Sequence, residues 1–129
     1  MELIELDPTL ALRPDYGSSV SDRAKGLRHR TLSELGPSDI AFCLRQSIAV
    51  PHVAELALDL ASKNPLLNAE FYEGDLLMSL LDAAKNKLLS AQQLAELRDV
   101  CSDAVISAEA VVENVVPAAE SFVSDYDGL

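Results

Sequence analysis

Two cysteines, two histidines and one tight group of carboxylates are the residues of this chain whose types could support chemistry. A thiol nucleophile needs a base within hydrogen-bond reach, and no recognisable nucleophile motif joins Cys43 or Cys101 to His29 or His52. Both cysteines fall inside apolar helical pattern, which suits inert core thiols in a reducing compartment. Four Cys and His positions scattered singly along the chain also lack the paired spacing of a zinc site. Glu70, Glu73 and Asp75 form an E-x-x-E-x-D run of the kind that coordinates a hard cation, but without the twelve-residue calcium-loop pattern. Asp75 has an ordinary alternative role, because a carboxylate at the start of a helix meets the positive end of the dipole. No catalytic residue, no metal site and no cofactor is therefore expected, and a metal-dependent hydrolase built on that trio is the weakest functional reading.

Charge is more informative. The chain of 129 residues has a formal net charge of −11, which disfavours direct binding to nucleic acid or to an anionic membrane, since both require Lys and Arg to replace counterions. The acids are concentrated near the C-terminus, where Arg98 is the only base after residue 90 and Glu96, Asp99, Asp103, Glu109 and Glu113 share one arc of the expected helix. A merely solvated face usually mixes both signs for i, i+4 support. These five carboxylates are accordingly the candidate binding residues for a basic partner.

The elements that carry these residues are helical. Hydrophobic residues make up 49% of the chain and aromatic residues only 5%, so the core must be built from Leu, Ala, Val and Ile, as in packed helices. The expected fold is all-α, a single-domain bundle of about five to six helices over residues 1–129. Residues 1–17, with Pro8, Pro14 and Gly17, read as an extended strap, and residues 124–129 as a frayed tail. A short helix is expected from Ser18 or Ser19 to Arg28, then one from Asp39 to Val50 with Ser38 as its N-cap. Pro51 starts the next, which stops at Asn64-Pro65. Another follows Gly74-Asp75. The longest spans 91 to about 116 behind the capping box at Ser90 and Gln93, with Leu94, Leu97, Cys101, Ala104, Val105, Ala108, Val111, Val112 and Val115 on its inner side; Pro117 then kinks or stops it. Neither a signal peptide nor a membrane span is apparent, and a cytoplasmic location is expected.

Over residues 27–81 a string of motifs resembles the all-helical immunity proteins of contact-dependent growth inhibition (CDI) systems. Leu27-Arg28 followed by Leu32 is similar to that family's L-R-x-x-x-L element, and residues 39–46 to its D-L-R-x-x-I-x-Q helix. Residues 46–51 and 56–59 are similar to its Q-x-I-G-L-P and L-A-L-E, and Asn64-Pro65-Leu66 and residues 71–77 to its N-P-L and F-Y-P-G-D-L-L. Several positions depart: Ala41 stands for an arginine, Arg45 and Ala49 for glycines, Glu55 and Glu73 for prolines. The resemblance implies an immunity protein that binds and neutralises the C-terminal toxin domain of a CDI effector, with a nuclease as one candidate toxin, by blocking a basic active-site or substrate cleft. Within the motifs, Gln46, Pro51, Tyr72, Gly74 and Asp75 are expected to serve the common fold. Toxin contacts are expected outside them, on the acidic C-terminal helix. The alternative reading is an acidic helical adaptor or regulatory subunit for another basic protein.

Overall fold

The computed structural model describes residues 1–128. Along the chain run α1 (Leu3–Leu6), a 3-10 turn (Pro8–Leu12), α2 (Ser19–Gly26), a second 3-10 turn (Leu32–Glu34), α3 (Pro37–Arg45), α4 (Val50–Lys63), α5 (Asp75–Lys85), α6 (Ala91–Ala110), a π turn (Val111–Val115) and α7 (Val116–Asp127). Among the described residues there is no strand, and Glu2 and Thr31 form an isolated antiparallel bridge. No helix among them is long and apolar enough to cross a membrane.

α3 is the centre of the bundle. Ile40, Ala41, Phe42, Cys43 and Leu44 are all buried, because α4 and α5 pack against this short helix and against each other. α6 then packs on α4 and α5. Leucine, valine and alanine supply most of the core, as the scarcity of aromatics requires.

The N-terminal strap is not extended. It carries one α turn and one 3-10 turn, the second opened by Pro8, whose fixed φ suits a helical first turn. Compaction lets Leu3 and Leu10 reach the core, where both are fully buried. The strap is stitched down by Leu3 N donating to Arg30 O at 2.9 Å, Ile4 N to Arg28 O at 3.0 Å, and Ala49 N to the Asp7 carboxylate at 2.9 Å.

Helix boundaries moved where proline and glycine compete. Pro37 takes the first turn of α3, so Gly36 rather than Ser38 is the N-cap, and the Asp39 carboxylate accepts from Gly36 N at 3.4 Å. α3 ends at Arg45 rather than running on to Val50, because Ser47 turns left-handed and closes a Schellman cap, with Ile48 N donating to Cys43 O at 2.8 Å and Ser47 N to Leu44 O at 3.3 Å. In the link, Ser47 and Ala49 adopt φ of 57° and 47°, which turns the chain so that Pro51 falls in the first turn of α4.

Two expectations for the C-terminal helix are corrected. Pro117 does not stop it, because the wider π turn just before it absorbs the missing donor, and α7 continues to Asp127 through most of the expected tail. Of the tail expected over 124–129, Leu129 lies outside the described residues. The inner side is also rotated: Gln93, Leu97, Val100 and Ala104 face the core, while Leu94 and Val105 are exposed and Val111, Val112 and Val115 cover nothing. Gln93 is fixed on this side. Its side chain accepts from Ser90 N at 3.0 Å and donates to Pro51 O at 3.0 Å, which ties that side of α6 to the start of α4.

Candidate functional site: an acidic groove

With α6 so oriented, its side at Glu96, Asp99 and Asp103 turns toward α4. There, Glu55 and Asp59, four residues apart on α4, line the opposite wall of a groove of about 330 Å³. Leu58 and Val100 form part of its lining between the two rows of carboxylates. Three of the five expected binding residues thus meet two that the sequence offers no reason to join to them. Glu55 and Asp59 read on their own as the ordinary polar side of an amphipathic helix, and only packing reveals the shared groove. Glu109 and Glu113 lie farther along, outside the groove, on the exposed end of α6 and the π turn.

Counter-charge in the groove is sparse and peripheral. Lys63 reaches Asp59 at 3.1 Å within α4, and Arg98 approaches Asp99 at 3.9 Å, with both pairs largely exposed. Gln92 donates to Glu96 at 3.3 Å. Among the described residues Glu55 and Asp103 have no ion-pair partner. Such a surface attracts cationic groups.

The acidic loop before α5 has a different task. Asp75 is almost fully buried and accepts three backbone hydrogen bonds, from Ala69 at 2.6 Å, Glu70 at 3.0 Å and Phe71 at 2.8 Å. Burial pushes its carboxyl up, but the amides of residues 69–72 outweigh that and hold it below the usual carboxylate range. Glu70 is bridged by Arg23 at 2.8 Å and Arg45 at 3.0 Å. Both guanidiniums also lie over rings, Arg23 4.4 Å from Phe42 and Arg45 5.0 Å from Phe71. Arg45, which departs from the resembled motif, is thus part of the loop's clamp. Two carboxylates of the E-x-x-E-x-D run are already committed to amides and arginines, which leaves no cage for a cation.

The other motif residues sit as follows. Gly74, at φ 88° and ψ 3°, has the third-residue geometry of a type II turn, closed by Asp75 N donating to Tyr72 O at 3.1 Å. The Tyr72 side chain is exposed. Gln46 is half-buried and holds Arg13 through its carbonyl, while the buried polar side chain that anchors two helices is Gln93. Pro51 opens α4. Cys43 is sealed in α3, where burial first and Asp39 second push its thiol up to about 12. His29 pairs with Glu2 at 2.9 Å on the surface, and His52 is exposed at the start of α4.

An acidic, all-helical domain with a carboxylate-lined groove between two packed helices is the class that fold and surface define. The chain belongs to the family of CDI immunity proteins, whose model matches residues 5–97. That match is wider than the motif string of 27–81, taking in most of the strap and the first turns of α6, and it ends between Glu96 and Asp99. No curated protein and no solved structure matches the chain.

Proposed function

We propose that this immunity protein acts in the cytoplasm by binding the C-terminal toxin domain of a CDI effector, and that the acidic groove is the surface it presents to a basic active-site or substrate cleft. The observation that carries the reading is the convergence of Glu55 and Asp59 with Glu96, Asp99 and Asp103 on an apolar floor. A nuclease cleft is built to hold a phosphate backbone, and two rows of carboxylates offer it a substitute of the same charge. The role is stoichiometric binding rather than turnover.

The test is association kinetics with the C-terminal toxin domain of the cognate CDI effector. Reversing Glu96, Asp99 and Asp103 to lysine is expected to slow association by about 100-fold at low salt, and adding Glu55→Lys should slow it further. Glu109→Lys and Glu113→Lys should have smaller effects. Salt should slow the unmodified protein more than the reversed one. Unchanged affinity and salt dependence in the triple reversal would make the groove a solvated surface, and the contact should then be sought around His52 and residues 68–73.

A further inference from the structure

Beyond Ala104 the C-terminal helix leaves the body. Among the described residues the π turn packs on its two helical neighbours, α6 and α7, and neither it nor α7 has a comparable contact with any other element. Yet this arm is not polar. Val112 is 63% exposed, Phe122 69% and Tyr126 66%, with Val105, Val115 and Val123 also open. A run of exposed apolar residues over more than 20 positions, about 30 Å of helix, exceeds the scattered single residues of an ordinary surface and marks a contact surface.

Charge selects what covers it. Residues 105–127 contain Glu109, Glu113, Glu120, Asp125 and Asp127 and no Lys or Arg. Pairing two such arms would bring ten carboxylates together with no counter-charge. An anionic lipid surface is disfavoured for the same lack of bases. A partner with an apolar groove and a basic rim satisfies both features.

We infer that the arm from Val105 to Asp127 is a second contact element for the same basic toxin domain, laying its apolar side into a groove on a partner already steered to the α4–α6 groove. This rests on the proposed toxin-binding role. The two surfaces divide the work physically: exposed carboxylates govern the rate of encounter, and burial of valine, phenylalanine and tyrosine governs residence. Asp103 in the groove is only about 14 Å along the helix from Val112 on the arm, so one bound domain spans both.

The experiment compares full-length protein with the variant Val112→Gln, Val115→Gln, Phe122→Gln and Tyr126→Gln, substitutions that keep helix-forming residues and remove no core contact. With the C-terminal toxin domain of the cognate CDI effector, the variant should dissociate at least about tenfold faster, with association rate and its salt dependence unchanged. Circular dichroism and the thermal midpoint should match those of the unmodified protein. Equal dissociation rates would overturn the inference while leaving the groove reading intact. Sedimentation showing a dimer of the free protein that the variant abolishes would assign the arm to a second copy and overturn it as well. No binding of the unmodified protein to the toxin domain would sink the proposed function, and with it this extension.

Discussion

Leu80 and Phe122 are both large apolar residues on amphipathic helices, yet Leu80 is fully buried and Phe122 is largely exposed. The difference separates two kinds of structure in one chain. In the body, which holds the family match, the main apolar helix sides are covered by other parts of the same chain: α3 by α4 and α5, α4 by α6, and the strap by the core it enters. In the arm the same sort of periodicity faces solvent. An amphipathic pattern therefore marks an apolar side and does not state what covers it.

Substitutions can test how sharp that division is. The largest effect is expected in the core, where Leu80→Ala should lower unfolding free energy by about 2–5 kcal/mol in urea titration. A loss below 1 kcal/mol would mean the body is as loosely packed as the arm. Next comes the loop clamp: Asp75→Ala leaves three amides without their acceptor and should cost about 2–4 kcal/mol. Because the folded carboxyl lies below its ordinary 3.8, its contribution is fully present above that value and is lost as pH falls through the lower folded value. The acid limb of the stability curve should consequently be flatter in Asp75→Asn than in the unmodified protein.

Smaller still is Ala49→Gly. Ala49 holds a left-handed conformation at φ 47°, where the resembled motif has glycine. Relief of that strain opposes the added freedom of the unfolded chain and the lost burial of the methyl group, so stability should change by less than about 1 kcal/mol. Smallest of all, Phe122→Ala should change the stability of the free protein by less than about 0.5 kcal/mol, although it removes a larger side chain than Leu80→Ala does. Amide exchange should agree, with protection in α3, α4 and α5 near the global limit and little beyond residue 111. Strong protection there in the free protein would erase the distinction between arm and body.

Much of this was legible in the residues themselves. Apolar spacing of three and four made the chain helical, Pro51 and Gly74-Asp75 marked where helices start, Ser90 and Gln93 announced α6, and the absence of bases after Arg98 exposed the acidic end. These are local properties, set by backbone sterics and by neighbours within a turn or two. What lay beyond them was decided by contacts between distant segments. Packing of Leu97, Val100 and Ala104 on the core, with Gln93 bonded to Pro51 on the same side, left Leu94 outside and turned Glu96, Asp99 and Asp103 toward Glu55 and Asp59. The strap's collapse into turns followed from room in the core for Leu3 and Leu10. A one-dimensional period gives the width of an apolar side but neither its azimuth nor its cover, because both depend on which helix packs against it and at what angle.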